Sequence, residues 1–129
     1  MSVSILVVDD DPDVADLFRQ HFRREPGQGT YVMHFATSAE RAQALLNRGI
    51  EPTVAVILSD INMPGMDGLQ LLGAIKERFP DLPVMMVTAY GDNERRRRAD
   101  ERGAFEFVTK PVDFDTLKAQ LRQLPTAAN

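Results

Sequence analysis

Two patterns of hydrophobic and polar positions alternate along the chain. Short, almost continuous apolar runs predict five strands, and after each run apolar residues recur at three- and four-residue steps, which predicts a helix. The predicted strands span residues 4–9, 30–36, 53–59, 83–88 and 105–109. The predicted helices span residues 12–25, 38–48, 67–79, 92–102 and 113–124. Regular alternation of this kind is typical of a parallel sheet with helices on both faces.

The polarity of the strands predicts their order in the sheet. The first, third and fourth strands are nearly all apolar, as expected where helices cover both faces. Polar residues such as His34 and Glu106 interrupt the second and fifth strands, which suits the two edges. We therefore expect a three-layer α/β/α, flavodoxin-like (βα)5 fold with strand order 2-1-3-4-5. In such sheets ligands bind beyond the carboxyl ends of the strands, here between the first and third strands.

The first and fifth helices carry apolar stripes that predict burial against the sheet. The stripe residues of the first helix are Val14, Leu17, Phe18 and Phe22. Those of the fifth helix are Phe114, Leu117, Leu121 and Leu124. At the start of the first helix, Pro12 suits a first-turn position and Asp11 is expected to act as the N-cap.

The fourth predicted helix is different, because Ala99 is almost its only apolar residue. Glu94 and Arg98, and likewise Arg96 and Asp100, are four residues apart and are expected to form ion pairs worth about 0.2–0.5 kcal/mol each. Two interpretations stay open. The helix is either a solvated element held mainly by such pairs, or a weakly anchored switch helix that displays charge to a partner.

Chemically useful side chains follow four of the five strands. Asp9 and Asp10 follow the first strand, Asp60 follows the third, Thr88 ends the fourth and Lys110 follows the fifth. Each feature alone has an ordinary structural explanation, such as a helix cap, a polar turn or a strand end. Since the carboxyl ends of parallel strands meet at one edge of a sheet, their joint occurrence instead predicts one shared site.

The expected site concentrates negative charge and therefore favours a cation. Two carboxylates about 5 Å apart repel by roughly 3 kcal/mol at an effective dielectric constant near 20. Mg²⁺ suits such a site, since it binds one or two carboxylates together with water and phosphate oxygens. Phosphoryl transfer needs mainly positioning and neutralised oxygen charge, so a metal ion, the Lys110 ammonium and the Thr88 hydroxyl around Asp60 predict a phosphoryl acceptor.

Composition narrows the function further. A net charge of -4 and a pI near 5.1 argue against direct binding of nucleic acid or of an anionic membrane. The absence of cysteine excludes disulfides and thiol chemistry. No apolar run approaches the roughly 20 residues that span a bilayer, and the first strand begins almost at Met1, so we expect no signal peptide and a cytoplasmic location. We expect one domain over residues 1–124 and a C-terminal tail over 125–129.

At these positions the chain resembles the receiver domain of bacterial two-component response regulators, over essentially the whole predicted fold. The motifs that carry the resemblance are Asp9-Asp10, Asp60-Ile61-Asn62-Met63-Pro64-Gly65-Met66-Asp67-Gly68, Thr88-Ala89 and Lys110-Pro111. The resemblance implies a phosphorylated signalling module rather than a turnover enzyme. Asp60 would accept a phosphoryl group from a sensor histidine kinase or a phosphotransfer protein. Asp10, Asp60 and the backbone carbonyl of Asn62 would bind Mg²⁺ directly, and Asp9 would act mainly through water.

The resemblance also implies a conformational switch. Lys110 would pair with Asp60, and Thr88 would move to hydrogen-bond the phosphoryl group. Phe107 would then change rotamer and reshape the surface of the fourth helix, fifth strand and fifth helix, which would control a downstream protein or output domain. The Lys110–Pro111 bond is expected to be cis. Tyr90 is expected to shield the acyl phosphate from water, and a homodimer through the same surface stays open.

Two other functions stay open from the residues alone. A small Mg²⁺-dependent phosphatase would use Asp9 and Asp11, in a pattern similar to that of haloacid dehalogenases. Asp13 departs from that pattern, however, and Asp60 would have no comparable role. The second alternative is a protein-binding domain that is never phosphorylated, although the complete acidic set argues against it. The sequence does not distinguish a stand-alone regulator from the receiver of a larger protein.

Overall fold

Five strands and five helices alternate in the computed structural model, which describes residues 2–22, 30–49, 54–89 and 91–124. The strands are β1 (Ser2–Val8), β2 (Thr30–Ala36), β3 (Val54–Asp60), β4 (Val84–Thr88) and β5 (Glu106–Thr109). The helices are α1 (Asp13–His21), α2 (Ala39–Arg48), α3 (Gly68–Arg78), α4 (Asn93–Glu101) and α5 (Phe114–Leu121). Each described element therefore lies where the hydrophobic pattern predicts it, with ends that differ by a few residues.

The strands form one parallel sheet in the order β2-β1-β3-β4-β5, which confirms the predicted topology. The register aligns the carboxyl ends of neighbouring strands. Val8 pairs with Ser59, so Asp9 and Asp60 follow side by side. Asp60 pairs with Val87, and Thr88 pairs with Thr109. The carboxyl ends of β1, β3, β4 and β5 therefore lie together at one edge of the sheet.

Two apolar clusters cover the two faces of the sheet, because successive strand residues point to opposite sides. Leu6 and Val8 of β1 face a cluster that includes residues of α2, α3 and α4. Ile5 and Val7 face a second cluster that includes residues of α1 and α5. This arrangement explains why the central strands are apolar at almost every position.

The helix stripes are confirmed with one exception. All four predicted residues of the fifth stripe are buried: Phe114, Leu117, Leu121 and Leu124. In α1, Phe18 and Phe22 are buried, but Leu17 is 44% exposed. The expectation that Leu17 belongs to the buried stripe is therefore wrong, because this residue lies at the edge of the face that meets the sheet.

The ends of the helices also refine the prediction. The expectations that Pro12 lies in the first turn of α1 and that Asp11 is its N-cap are wrong, because α1 begins at Asp13 and Pro12 takes the N-cap position without a side-chain hydrogen bond. The Asp11 carboxylate still accepts a hydrogen bond from the Asp13 amide at 3.0 Å, as a capping group would. α5 ends at Leu121, three residues before its predicted end. Residues 23–25 of the first predicted helix and the tail 125–129 lie outside the described residues.

Side-chain caps fix the starts of α2 and α3. Ser38 is the N-cap of α2 and accepts a hydrogen bond from the Arg41 amide at 3.1 Å. At the start of α3, Asp67 and Gln70 form a reciprocal capping box with both hydrogen bonds at 2.9 Å.

Across the described residues, none of the helices is long and apolar enough to cross a membrane.

Candidate functional site

Three carboxylates converge at the carboxyl edge of the sheet. One oxygen from each of Asp9, Asp10 and Asp60 lies within 4.8 Å of the others. Asp9 and Asp60 are buried and Asp10 is exposed, so the cluster opens to solvent on one side. Oxygen ligands at this spacing, with room for water, match the preference of a small divalent cation.

Asp60 ends β3 and is 6% exposed. Its Oδ2 accepts a hydrogen bond from the Lys110 ammonium at 3.0 Å. Its Oδ1 accepts one from the Asn62 amide at 3.2 Å. The carboxylate is thereby fixed in orientation at the point where the strand opens into the loop before α3.

Lys110 reaches Asp60 because the end of β5 holds it beside β4. Its amide donates to the Thr88 carbonyl at 2.8 Å, and the following bond to Pro111 is cis. The ammonium also lies 3.6 Å from Asp9 Oδ2. Burial alone would lower the pKa of Lys110, but the hydrogen bond to Asp60 and the charges of Asp60 and Asp9 outweigh it and raise the pKa. Lys110 is therefore a permanent positive charge between two carboxylates.

Asp9 is the carboxylate of the cluster whose pKa is raised. Burial is the main cause that raises its pKa, and the charges of Asp60 and Asp10 act in the same direction. The Asp11 amide, which donates to Asp9 Oδ1 at 2.9 Å, and the Lys110 charge oppose this increase. One lysine thus leaves the three carboxylates under-compensated, and a divalent cation would relieve that repulsion.

The end of β4 connects this edge to the face that α4 covers. Thr88 is buried, with 3% of its surface exposed. Phe107 of β5 pairs with Met86, so both side chains point to the same face as Thr88, two residues further along. Gln120 of α5 donates to the Phe107 carbonyl at 3.1 Å. Phe107 therefore lies near the carboxyl edge of the sheet, on the same face as Thr88, and its backbone contacts α5.

The loop from Asp60 to α3 is held by contacts that sequence reasoning missed. A Cβ atom on Gly68 would lie 2.2 Å from the Asp60 carbonyl oxygen, so only glycine fits there. The Gly68 amide donates to the Ile61 carbonyl at 2.9 Å. Glu40 of α2 accepts from the Met66 amide at 3.4 Å. Glycine at the first helical position was a signal for a close approach, whereas nothing in the sequence pointed to Glu40.

A cavity of about 440 Å³ adjoins the site on its α1 side. Most of its lining is apolar and comes from β1, α1 and the segment after Lys110, including Val14, Leu17 and Val112. Asp9 and Lys110 also line it. The exposure of Leu17 thus has a structural context, because its side chain borders a recess that leads to the acidic cluster.

On α4, only one of the two predicted ion pairs forms. Arg98 lies 3.3 Å from Glu94, as expected. Within the described residues Arg96 makes no ion pair with Asp100, and its guanidinium carbon instead lies 4.7 Å from the centroid of the Phe107 ring. The prediction of the Arg96–Asp100 pair is therefore wrong, because the Arg96 guanidinium lies over an aromatic ring of β5. Tyr90, just before α4, lies outside the described residues.

The comparisons with known proteins agree with this geometry. Residues 5–122 match the response regulator receiver domain, and the chain belongs to this family. It is 41% identical over 111 residues to the DNA-binding transcriptional regulator NtrC of Escherichia coli strain K12, covering 86% of this chain and 22% of NtrC. It is 35% identical over 132 residues to the response regulator protein FleR of Pseudomonas aeruginosa, covering 97% of this chain and 26% of FleR. The chain thus spans about a quarter of these curated relatives.

Solved structures support the same assignment. The crystal structure of the receiver domain of NtrX from Brucella abortus superposes with a TM-score of 0.78 at 34% identity, over 93% of this chain and 96% of that domain. Receiver domains are signalling modules, and the relatives above are named as regulators. The fold and the family are therefore established.

Proposed function

We propose that this chain is a phosphorylation switch in which Asp60 accepts a phosphoryl group from a phosphohistidine of a sensor histidine kinase or phosphotransfer protein. The observation that carries the proposal is the placement of the buried Asp60 carboxylate between the Lys110 ammonium and two further carboxylates. A nucleophile fixed beside positive charge is what phosphoryl transfer requires, since catalysis rests on positioning and charge neutralisation.

In the transfer step, an oxygen of Asp60 attacks the phosphorus while the phosphorus–nitrogen bond of the phosphohistidine breaks. The leaving imidazole nitrogen keeps the electron pair, and the product is an aspartyl phosphate. Lys110 neutralises charge on a phosphoryl oxygen from the position it holds beside Asp60 Oδ2. Thr88, at the end of β4, supplies a hydroxyl that hydrogen-bonds the transferred group.

The carboxylate cluster fits Mg²⁺. Asp10, Asp60 and the Asn62 backbone carbonyl would hold the ion directly, and Asp9 would hold it mainly through water. The fit rests on the donor set, which is made of oxygen atoms alone, and on the raised pKa of Asp9, which burial raises most and the charges of Asp60 and Asp10 raise further. When bound, the ion would neutralise phosphoryl oxygen charge.

The phosphoryl group would act on a partner through Thr88 and Phe107. These two side chains share one face of the sheet, and Phe107 contacts α4 through its ring and α5 through its carbonyl. A shift of Thr88 toward the phosphoryl group would let the ring turn and would reshape the α4–β5–α5 surface. That surface would engage a downstream protein, an output domain or a second copy of the chain.

The cavity beside α1 supports an approach of the phosphodonor protein from that side. Its apolar lining ends at Asp9 and Lys110, and Lys110 contacts Asp60, so a protein helix seated along Leu17 and Val112 would bring a histidine toward the acidic cluster. The alternative phosphatase, with Asp9 and Asp11 as its acids, has weaker support. Asp9 already accepts from a backbone amide and faces Lys110, and the exposed Asp11 accepts from the Asp13 amide.

Intact mass measurement after incubation with acetyl phosphate, with and without Mg²⁺, tests the proposal. We expect wild type to gain one phosphoryl group only with Mg²⁺ and Asp60→Asn to gain none. Asp81→Asn, an exposed turn residue, is the matched control and should behave as wild type. Phosphorylation that persists in Asp60→Asn but disappears in Asp9→Asn would support the phosphatase instead. No gain from acetyl phosphate or a histidine kinase would favour a phosphorylation-independent binding domain.

A further inference from the structure

Arg96 differs from the other three arginines of the run Arg95–Arg98 on α4. Each of the other three forms an ion pair with a carboxylate of the same helix or of its cap. These pairs are Arg95–Asp92 at 3.8 Å, Arg97–Glu94 at 3.1 Å and Arg98–Glu94 at 3.3 Å. Arg96 instead lies over the Phe107 ring, with 4.7 Å between the guanidinium carbon and the ring centroid. Arg96 therefore contacts a residue outside its own helix, and that residue is Phe107, the side chain proposed to change rotamer on phosphorylation.

The ring of Phe107 carries no polar group, and the Arg96 guanidinium lies over its face. Phe107 is half-buried against the apolar cluster that α4 covers, and its backbone is held by pairing with Met86 and by Gln120. Backbone position is therefore fixed, while ring orientation depends on packing and on Arg96. A guanidinium over a ring face is attracted to the ring quadrupole, and this attraction requires the cation to stay over the face within about 6 Å of the ring centroid.

We propose that Arg96 is a positioning residue for the phosphorylation response, which holds the Phe107 ring in the orientation seen here and opposes its rotation toward Thr88. This inference rests on the proposed function of Asp60. Because coupling between two sites is reciprocal, a contact that resists ring rotation also weakens the phosphorylated conformation. Loss of Arg96 should therefore stabilise that conformation.

Beryllium fluoride, which mimics an aspartyl phosphate, gives an equilibrium test in the presence of Mg²⁺. The half-saturating concentration is read from the Thr88 amide by two-dimensional NMR. We expect Arg96→Ala to lower it about 2- to 5-fold, the range for an exposed cation–π contact. Arg96→Lys keeps a cation and should restore part of the wild-type value. Arg98→Ala, which removes an arginine of the same helix that lies away from Phe107, is the matched control and should leave it unchanged.

A double-mutant cycle separates positioning from a general effect on α4. In a Phe107→Leu background the ring is gone, so Arg96→Ala should no longer change the half-saturating concentration. An equal effect of Arg96→Ala in both backgrounds would mean that Arg96 only stabilises the helix, and it would overturn the inference. The absence of any effect in the wild-type background would overturn it as well.

The contact itself is tested without any phosphoryl mimic. The side-chain δ protons of Arg96 should show an upfield ring-current shift in wild type that Phe107→Leu abolishes. Identical shifts in the two proteins would overturn the contact and the inference while leaving the proposed function intact. Conversely, a wild-type protein that shows the ring-current shift but no Mg²⁺-dependent response to beryllium fluoride would overturn the proposed function and, with it, the role of Arg96 in the response.

Discussion

The helices on either side of β5 in the chain are held in different ways. α5 buries Phe114, Leu117 and Leu121 in eight residues. α4 buries only Ala99 in nine residues. Five of its charged side chains form ion pairs, and Arg96 covers the Phe107 ring. The two halves of the α4–β5–α5 surface therefore depend on different forces. One is fixed by apolar burial, and the other by contacts that solvent and salt can weaken.

The difference suggests a division of labour within the proposed output surface. A fully buried leucine contributes about 1.5–3 kcal/mol, so α5 is expensive to displace. Exposed ion pairs contribute little, and a helix that has few buried apolar contacts opens or shifts at low cost. A phosphorylation signal of modest energy would therefore move α4 against a fixed α5.

The largest effect is expected from Leu117→Ala in α5. Leu117 is fully buried, so its truncation leaves a cavity and should lower the free energy of unfolding by about 2–5 kcal/mol. Urea denaturation followed by circular dichroism measures this change. Gln123→Ala, at an exposed position just beyond the helix, serves as the control and should change little. A loss for Leu117→Ala as small as the control's would mean that α5 is not held by burial.

Hydrogen exchange should separate the two helices directly. We expect the backbone amides of α4 to exchange at least about tenfold faster than those of α5, because opening α4 exposes only one buried side chain. Exchange measured by mass spectrometry or NMR on wild type provides the comparison. Equal protection in the two helices would refute the interpretation of α4 as weakly anchored and would favour a rigid output surface.

A smaller effect is expected at the N-cap of α5. The pKa of Asp113 is lowered by hydrogen bonds from the Thr116 hydroxyl and amide and from the Asp115 amide. Its stabilising contribution is therefore complete above the ordinary aspartate pKa of 3.8 and is lost as the pH falls through the lower folded value. Asp113→Ala should lower the melting temperature by several degrees at pH 7.

The pH dependence of the same cap provides the check. The difference in melting temperature between wild type and Asp113→Asn should shrink as the pH falls below 3.8, since a protonated Asp113 and an asparagine are then similar caps. The comparison variant is Asp115→Asn, the same carboxylate-to-amide change two residues away in the first turn of α5. A difference that stays constant down to acid pH would show that the charge of Asp113 contributes nothing to the cap.

The smallest effect is expected from Glu94→Gln in α4. Hydrogen bonding from Arg97 is the main cause that lowers the pKa of Glu94, and the charges of Arg97 and Arg98 add to it. The substitution removes both ion pairs, yet the melting temperature should fall by less than about 2 °C, because such pairs are exposed. Faster hydrogen exchange in α4 at low salt, and no difference at 1 M salt, would complete the pattern.

The control for this variant is Glu77→Gln, an exposed position on α3. The contribution of Glu94 has the same sign as that of Asp113, because both folded pKa values are lowered: it is present at neutral pH and lost under acid conditions. An equal change in α4 exchange at low and high salt would indicate that Glu94 acts through helix propensity rather than charge.

The sequence predicts the sheet well because strand order and strand ends depend on strong, repeated signals. Apolar runs identify the central strands, polar interruptions identify the edges, and parallel pairing then brings Asp9, Asp10 and Asp60 to one edge. Each of these steps follows from burial and from the geometry of parallel strands. The clustering of these three carboxylates could therefore be predicted without knowledge of individual side-chain contacts.

Side-chain partners are harder to predict, because local and distant partners compete for one group. Helical spacing favours Asp100 as the partner of Arg96. In the structure the partner is instead Phe107, which lies eleven positions along the chain in β5. Leu17 fits the apolar period of α1 and is still exposed, since helical period alone does not define how wide the buried face is. The contact between Glu40 and the Met66 amide likewise depends on how α2 lies against the loop.

Gly68 limits which residue and which loop length can connect the acidic edge to α3. Its Cα approaches the Asp60 carbonyl so closely that a methyl group does not fit, and its amide closes a hydrogen bond to Ile61. The hydrogen bond between Gly68 and Ile61 therefore closes a ring of backbone over residues 61–68, which begins directly after the proposed acceptor and ends at the first residue of α3. A protein engineer who grafts this edge onto another sheet must transfer the ring whole, because a longer loop or a larger residue at 68 would separate helix from strand before any carboxylate was altered.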